Sequence, residues 1–419
     1  MLLSDGALEP GYVVVENGII QAIASAVPAA VHVIDTDGVI VPGLIDLHGH
    51  PEFNVFAAWE PPQGYVNRYA WRGSDLYSKL VREPQNRLLE ELPAWTQLRY
   101  AEIRALVGGV TAIQGAGQQA AAYRAEALVR NVDKLIFGEQ VGRSMVDLPS
   151  GSRGMDSLTN ILKGITEDSV KAFYIHLAEG MSSNARSAAE FDTLVELDAL
   201  TDATVIIHGT ALSDSQLGDA RDAGAKLVWS PQSNLRLYGE TTRAAHALEI
   251  GMPVGLGADW LPSGSSSLLA EMKVARRCLA TQAGRDPGAR RLVDMVTQDA
   301  ARIAGLEDKL GRLAAGRPAD LVVFERHDAD PWENVASADP SQVQLVTIGG
   351  DIAYGHRDLV KELVGHEAAG EFEELFAWGR PMLLDTGYQA HPDDTRPPRL
   401  SELRSDLIEA YPQVGPIFA

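Results

Sequence analysis

The feature that most constrains the fold is an alternation that begins at Pro42. From there, short apolar runs of strand length alternate with segments of helix length. This alternation predicts parallel β/α units, because parallel strands need a crossover connection between them. Seven strands are predicted, and the eighth that would close a (β/α)8 barrel is expected within residues 133–157. The seven predicted strands are Leu44–His48, Thr111–Gln114, Lys134–Phe137, Ala172–His176, Thr204–His208, Lys226–Ser230 and Pro253–Ala258.

Strand signals also occur on both sides of this region, separated by turn residues. The predicted fold class is therefore α/β, a distorted (β/α)8 TIM barrel plus a small discontinuous β-sandwich domain. We assign residues 1–42 with 307–356 to the sandwich, 43–306 to the barrel, and 357–419 to a C-terminal extension of helices and loops. The outer strands are predicted at Tyr12–Val15, Ile19–Ile23, Val31–Ile34, Gly38–Val41, Asp320–Phe324, Gln344–Ile348 and Asp351–Tyr354. Helices are predicted at Ala94–Val107, Gln119–Asn131, Ala185–Leu200, Asp214–Ala223, Ser266–Ala280 and Ala289–Ala304.

The composition narrows the class of protein. The 419 residues include 36 Lys and Arg against 57 Asp and Glu, a formal net charge of −21. Because such a surface repels phosphate backbones, nucleic acid is not expected as a partner. Cys278 is the only cysteine, so no internal disulfide and no cysteine-based metal site is expected. Neither a signal peptide nor an apolar stretch of about 18 residues is recognisable, so we expect a cytoplasmic protein without a membrane partner.

Two histidines end the first predicted barrel strand. His48 and His50 flank Gly49, and side chains two positions apart on a strand face the same way. Two imidazoles on one side suit a divalent metal ion. The pair on its own is equally compatible with chance, because motifs this short recur without function.

Other predicted strands end in similar groups. His176 ends one apolar run, and Glu179 follows it by three positions. His208 ends another run, and Asp259 follows the last one. Each has an ordinary alternative when taken singly: a solvated loop carboxylate for Glu179, a core histidine for His208, a helix N-cap for Asp259.

The joint pattern is more informative than any of its parts. Of the ten histidines in the chain, four fall at the carboxyl ends of predicted barrel strands. This face carries the active site in (β/α)8 barrels. The sequence therefore predicts one site, made of His48, His50, His176, His208, Glu179 and Asp259.

Seven ordered segments between residues 10 and 356 carry a family resemblance. They are 41–50 (VPGLIDLHGH), 108–111 (GGVT), 176–179 (HLAE), 208–209 (HG), 230–237 (SPQSNLRL), 255–259 (GLGAD) and 310–323 (LGRLAAGRPADLVV). Together they resemble the amidohydrolase superfamily, and within it the subgroup of cytosine and guanine deaminases, triazine hydrolases and imidazolonepropionase. The set is specific for the superfamily and does not identify a substrate.

The resemblance implies roles for the site residues. The metal ligands that it implies are His48, His50, His176 and Asp259. They would hold one divalent ion, Zn²⁺ or Fe²⁺, which lowers the pKa of a bound water to about 7. Asp259 would also accept a proton from that water, His208 would orient the water or polarise the substrate, and Glu179 would protonate the leaving or ring nitrogen.

The number of metal ions is a separate question. Relatives with two metal ions carry a carboxylated lysine at the end of the fourth barrel strand. Lys134 and Lys171 lie instead at the starts of predicted strands. The resemblance therefore favours a single metal ion.

The segment 51–80 departs from the relatives. It is rich in aromatic residues and contains arginines that could hold a flat ring and an anionic group. The same residues could equally pack over the barrel mouth or in a dimer interface. The candidate substrate-binding residues are Trp59, Arg68, Arg72, Asn234 and Trp260.

These features predict a metal-dependent hydrolase. The reaction implied is hydrolysis of a non-peptide C–N bond in a small, cyclic or aromatic substrate, by a deaminase or a cyclic amidohydrolase. Alternatives are hydrolysis of a linear N-acyl or carbamate bond, a non-catalytic amidohydrolase-like scaffold, and a structural metal protein. The complete ligand set argues against a scaffold. A homo-oligomer, dimeric or larger, is also expected.

Overall fold

The structure is a computed structural model and describes residues 10–27, 32–61, 64–93, 95–116, 127–387 and 398–418. Its strands are β1 (Tyr12–Glu16), β2 (Ile19–Ala24), β3 (Val39–Pro42), β4 (Leu44–Asp46), β5 (Val110–Ile113), β6 (Arg130–Asn131), β7 (Gly142–Met145), β8 (Ala172–Leu177), β9 (Thr204–His208), β10 (Lys226–Trp229), β11 (Val254–Leu256), β12 (Leu321–Phe324), β13 (Val343–Ile348), β14 (Asp351–His356), β15 (Glu373–Ala377) and β16 (Arg380–Leu384). Its helices are α1 (Arg68–Arg72), α2 (Asp75–Tyr77), α3 (Glu83–Glu91), α4 (Trp95–Val107), α5 (Gly151–Thr166), α6 (Ala185–Ala188), α7 (Glu190–Glu196), α8 (Asp214–Asp222), α9 (Pro231–Tyr238), α10 (Ala244–Glu249), α11 (Leu268–Ala283), α12 (Ala289–Met295), α13 (Gln298–Ile303), α14 (Pro331–Ala336), α15 (Arg357–Val364), α16 (His366–Ala369) and α17 (Leu400–Ala410).

The barrel is formed by the parallel strands β4 to β11. Backbone ladders join β4, β5 and β6 in one group and β7 to β11 in another, each in chain order. The ring closes between its first and last strands, where the Leu47 amide donates to the Leu256 carbonyl at 3.2 Å and Gly49 pairs with Asp259. The predicted TIM barrel is thus confirmed.

The third barrel strand differs from its prediction, whereas the fourth lies where a strand was expected. The strand predicted at Lys134–Phe137 is wrong: that stretch forms a turn, in which Phe137 and Gly138 have φ of 50° and 82°. The third strand is the short β6, which occupies the end of the helix predicted at Gln119–Asn131; residues 119–126 of that helix lie outside the described residues. β7 lies within residues 133–157, where the missing strand was expected. The apolar residues of the turn have the composition of a strand and so led to the wrong prediction. The sequence Gly-Arg-Ser-Met of β7 has little strand propensity and gave no strand signal.

A six-stranded antiparallel sheet lies beside the barrel, in the order β15-β16-β14-β13-β12-β3. It is discontinuous, as predicted, because β3 precedes the barrel and pairs with β12 that follows it. β1 and β2 form a separate hairpin that contacts the rest of the chain where Ile19 pairs with Pro318. The strand predicted at Val31–Ile34 does not form in residues 32–34, and Val31 lies outside the described residues.

The extension after residue 357 contributes more than helices and loops. Its strands β15 and β16 complete the edge of the six-stranded sheet, and α17 packs against α4 of the barrel. Two of the predicted barrel helices are interrupted, Ala185–Leu200 into α6 and α7, and Ala289–Ala304 into α12 and α13. No helix of the described residues is both long and apolar enough to cross a membrane.

Strand β8, which carries His176, is buried on both faces. In β8, Ala172 and Tyr174 pack in one hydrophobic cluster, and Phe173, Ile175 and Leu177 pack in another. Alternate residues of a strand point to opposite faces, so a parallel strand covered on both sides is apolar throughout. This packing fixes the direction of the remaining side chain, that of His176.

Candidate metal centre

The six predicted site residues lie together at the carboxyl ends of the barrel strands. The strands that position them are β4 for His48 and His50, β8 for His176 and Glu179, β9 for His208, and β11 for Asp259. Three residues at these strand ends, Ala178, His208 and Asp259, have φ of 53°, 67° and 60°. Positive φ is uncommon outside glycine and clusters at functional sites. The backbone therefore turns sharply where it presents these side chains.

The donor atoms of this cluster converge on one small region. The Nε2 atom of His48 lies 3.2 Å from Oδ1 of Asp259, and Nε2 of His50 lies 3.8 Å from the same oxygen. In the triad His48, His50 and His176, and in that of His48, His208 and Asp259, all ligand atoms lie within 4.8 Å of one another. Imidazole nitrogens and a carboxylate at such spacing are the donors of a catalytic zinc site.

The residues present fit a divalent metal ion. The His48 ring centroid lies 5.1 Å from that of His50, 4.8 Å from that of His176 and 5.0 Å from that of His208. The Nδ1 atom of His176 is buried without a hydrogen-bond partner among the described residues. Buried polar atoms are nearly always satisfied, so an unpaired ring nitrogen within a histidine cluster points to a ligand.

A buried polar network supports His48 from behind. Its Nδ1 atom lies 3.4 Å from Oε1 of Gln114, whose amide nitrogen lies 3.3 Å from Asp133 and 3.2 Å from Ser144. Asp46 accepts a hydrogen bond from the His48 amide, and burial raises the pKa of Asp46 to about 7. Partners of this kind orient metal-binding imidazoles and leave the other ring nitrogen for the metal. Gln114 was not predicted as a site residue, although it ends the predicted strand Thr111–Gln114.

A chain of hydrogen bonds fixes the tautomer of His208. The Trp229 indole can only donate, and it donates to Thr241 at 2.8 Å. The Thr241 hydroxyl then donates to Oδ1 of Asn234 at 3.2 Å, which turns the Asn234 amide nitrogen towards Nδ1 of His208 at 3.0 Å. Burial lowers the pKa of His208 to about 3. The ring is therefore neutral, with its proton on Nε2 facing the site.

Glu179 is the second buried carboxylate of the site. One of its oxygens lies 3.8 Å from Nε2 of His208. Burial raises its pKa, an effect that the nearby charge of Arg68 partly offsets. A buried carboxyl group whose pKa is raised in this way can serve as a proton donor.

A cavity of about 200 Å³ opens beside these groups. His50, His176, His208, Glu179 and Asp259 line one part of it, and Phe53, Trp71, Tyr77, Val146 and Trp260 line another, together with Arg68 and Arg72. The Trp71 and Trp260 rings lie 5.3 Å apart and are inclined by 34°. The cavity thus has an apolar, aromatic wall and a part that carries the polar site groups.

Three of the five predicted substrate-binding residues line the cavity, and two do not. Trp260, Arg68 and Arg72 line the cavity. Trp59 lies behind Trp260, with ring centroids 5.6 Å apart, and Asn234 lies behind His208, so neither is among the residues that line the cavity.

Both arginines in the cavity are engaged by one carboxylate. Arg68 Nε lies 3.0 Å from Asp147, and Arg72 binds both oxygens of Asp147 at 2.9 Å. Arg68 also binds Glu190 at 3.2 Å. The two arginines that were expected to bind an anionic group of the substrate are therefore already paired with carboxylates of the protein.

Comparison with known proteins agrees with this geometry. Residues 156–353 match the model of the amidohydrolase family. The predicted resemblance to the amidohydrolases is confirmed. The matched segment contains His176, Glu179, His208 and Asp259, whereas His48 and His50 precede it.

Curated relatives match over part of the chain. A 5-methylthioadenosine/S-adenosylhomocysteine deaminase of Teredinibacter turnerae is 29% identical over 214 residues, 46% of this chain and 48% of that protein. A deaminase of the same name from Pyrococcus abyssi is 30% identical over 212 residues, 48% of this chain and 47% of its own. The chain thus spans about half the length of the curated relatives it matches.

Solved structures share the fold over most of the chain. An atrazine chlorohydrolase of Arthrobacter aurescens, complexed with zinc and atraton, has a TM-score of 0.66 at 17% identity, over 84% of this chain and 92% of that one. An adenosine deaminase of Xanthomonas campestris with bound zinc has a TM-score of 0.61 at 18% identity, over 82% and 88%. At these identities the likeness establishes the barrel with its β domain.

Proposed function

We propose that this chain is a metal-dependent hydrolase of a non-peptide C–N bond in a small cyclic substrate, acting as a deaminase or a cyclic amidohydrolase. The observation that carries the proposal is the convergence of four histidines and two buried carboxylates beside one cavity, which all of them except His48 line. The sequence relatives are named as deaminases, which supports C–N chemistry.

We further propose that His48, His50, His176 and Asp259 hold one Zn²⁺ or Fe²⁺. Zinc in two structural neighbours supports a metal of this class. A single ion is supported by the fourth barrel strand, which ends at Met145, not at a lysine. Lys134 lies in a turn, and Lys171 is paired with Asp168. When bound, the metal lowers the pKa of a coordinated water and so supplies a nucleophile near neutral pH.

The remaining roles follow from the protonation of each side chain. His208 keeps its proton on Nε2, so it donates a hydrogen bond to water or substrate and does not act as a base. The pKa of Asp259 lies below its usual value: burial opposes ionisation, but the neighbouring imidazoles favour it more strongly. Asp259 is therefore ionised and can accept a proton from the attacking water. Glu179, whose pKa burial raises, delivers a proton to the nitrogen that leaves.

The volume of the cavity favours a small substrate. This volume of about 200 Å³ is below the roughly 300–1,000 Å³ of pockets for drug-sized ligands. The aromatic wall suits a flat ring. Guanine, bound in a structural neighbour, and 5′-methylthioadenosine, from the names of the relatives, are the first two compounds to assay.

The test combines metal analysis with a matched pair of variants. We expect about one Zn or Fe per chain by elemental analysis, and ammonia release if the reaction is a deamination. Glu179→Gln should retain the metal and lose turnover by about 10²–10⁴-fold, the usual contribution of a proton donor. Glu196→Gln, the same change at an exposed position of α7, should leave turnover unchanged. Equal rates in the two variants would contradict the role of Glu179.

Two expectations from the sequence complete the proposal. We propose that the protein is a homo-oligomer and that it acts in the cytoplasm. Light scattering on the eluate of a size-exclusion column measures the first, and cell fractionation measures the second. A monomeric mass at micromolar concentration would contradict the oligomer.

A further inference from the structure

A tyrosine that the sequence motifs do not include contacts Glu179 directly. The Tyr238 hydroxyl lies at the end of α9 and donates to Oε1 of Glu179 at 2.5 Å. The Trp71 indole Nε1 lies 2.9 Å from the same hydroxyl oxygen. An indole N–H can only donate, so the hydroxyl oxygen accepts from Trp71. The single proton of Tyr238 is therefore committed to Glu179.

Because of this chain of hydrogen bonds, the two oxygens of Glu179 have different neighbours. Oε1 is held by Tyr238, and Oε2 lies 3.8 Å from Nε2 of His208. Glu179 and Tyr238 are both buried, at 3% and 2% exposure, so water does not compete for the bond. Which oxygen faces the cavity is thus set by a residue more than fifty positions away in the sequence.

The far end of the chain of hydrogen bonds lies in the wall of the cavity. Trp71 belongs to α1, within the segment that departs from the relatives, and its ring lies 5.3 Å from those of Trp260 and Tyr77. A substrate ring that packs on this wall contacts the residue that orders the Tyr238 hydroxyl. The aromatic wall and the proton donor are therefore joined by two consecutive hydrogen bonds.

We propose that Tyr238 is a positioning residue that aims the Glu179 carboxyl group, and that Trp71 holds Tyr238 in the orientation required. The inference rests on the proposed function for the role of Glu179 but not for the hydrogen bonds themselves. Hydrogen bonds in series polarise one another, so a change at Glu179 should be detectable at Trp71 through Tyr238.

The indole N–H resonances of tryptophan-labelled, zinc-loaded protein test this coupling. Trp71→Phe assigns the Trp71 signal by its loss. Glu179→Gln should move that signal upfield, because a neutral amide accepts more weakly from Tyr238 than a carboxylate does. In a Tyr238→Phe background the same change should leave the signal in place. Trp229, whose indole binds Thr241, serves as the internal control for the fold. An equal displacement in both backgrounds would overturn the proposal.

A kinetic measurement tests the functional consequence, with guanine and 5′-methylthioadenosine as probes. Tyr238→Phe should lower kcat about 10–100-fold and change KM less than about threefold, since it misplaces a group needed in the transition state. Tyr65→Phe, which removes a hydroxyl that donates to Ser74 at 3.2 Å, is the matched control and should match the wild type. If neither probe is turned over by the wild type, the proposed substrates are wrong, and the resonance experiment alone decides the coupling. An unchanged kcat in Tyr238→Phe would refute the positioning role and leave the proposed function intact.

Discussion

Arg68 allows a sharp prediction, because the chain offers a matched arginine beside it. Its side chain is 1% exposed, and that of Arg72 is 38% exposed, yet both bind Asp147. Arg68 also binds Glu190, the His176 carbonyl at 3.2 Å and the Tyr69 hydroxyl at 3.1 Å. Arg68→Met keeps much of the volume and removes the charge.

The expected magnitude follows from what the substitution leaves behind. Glu190 is 6% exposed and would lose its only cationic partner in the described residues. Breaking a buried ion pair by removing one partner costs about 3–5 kcal/mol, whereas an exposed pair contributes about 0–1 kcal/mol. We therefore expect Arg68→Met to lower the free energy of unfolding by about 3–5 kcal/mol and Arg72→Met by less than about 1 kcal/mol.

Urea unfolding followed by tryptophan fluorescence at pH 7 measures both values. The double variant R68M/E190Q removes the stranded charge. The side-chain carbonyl of the introduced glutamine still accepts from the Ala178 amide, and its NH2 group can donate to the Tyr69 hydroxyl oxygen, which no longer accepts from Arg68. The double variant should regain part of the loss. If R68M and R72M are equally stable, or the double variant is less stable than R68M, the buried charge is not what stabilises this region.

Three shorter predictions concern the site and the barrel. Gln114→Ala should weaken zinc affinity about 10–100-fold, measured by competition with a chromophoric chelator, because His48 loses the partner of its Nδ1 atom. Gly257→Ala should lower the metal content found by elemental analysis, because the added Cβ would lie 2.4 Å from Cβ of His48; full occupancy would contradict this packing. Burial raises the pKa of Glu271 from 4.5 to about 8, so the folded state binds its proton more tightly than the unfolded state does. Stability should therefore fall as pH rises from about 4.5 to 8, by several kcal/mol at about 1.4 kcal/mol per pH unit, and Glu271→Gln should flatten that slope in urea titrations at pH 5 and 8.5.

The sequence predicted the barrel and the clustering of the six site residues for a local reason. Each of these residues follows or ends a short apolar run, and strand geometry carries all such ends to one face. The same criterion, that a short apolar run predicts a strand, was wrong at Lys134–Phe137, where Leu135, Ile136 and Phe137 are apolar. There the positive φ of Phe137 and Gly138 makes a turn instead.

No pattern in the sequence predicted the contacts between residues that are distant in the chain. Tyr238, Gln114 and Asp147 are ordinary polar residues in the sequence, and their partners are distant in the chain. Arg68 was predicted as a substrate ligand because its cavity position could be anticipated, whereas the carboxylates that neutralise it could not. Asn234 was predicted to lie near the site, which it does, but its hydrogen bond to His208 was not predicted from the sequence.

The pairing of β3 with β12 has a consequence for how the chain folds. β3 ends at Pro42, and β4, with the first two proposed metal ligands just beyond it, begins at Leu44. The only strand that pairs with β3 among the described residues lies at 321–324, after the whole barrel. Synthesis proceeds at about 5–20 residues per second, so β3 remains unpaired until β12 has been made. Such long-range pairing slows folding and exposes an edge to aggregation. We expect closure of this sheet to be a late, rate-limiting event, and one that sets the first barrel strand in place.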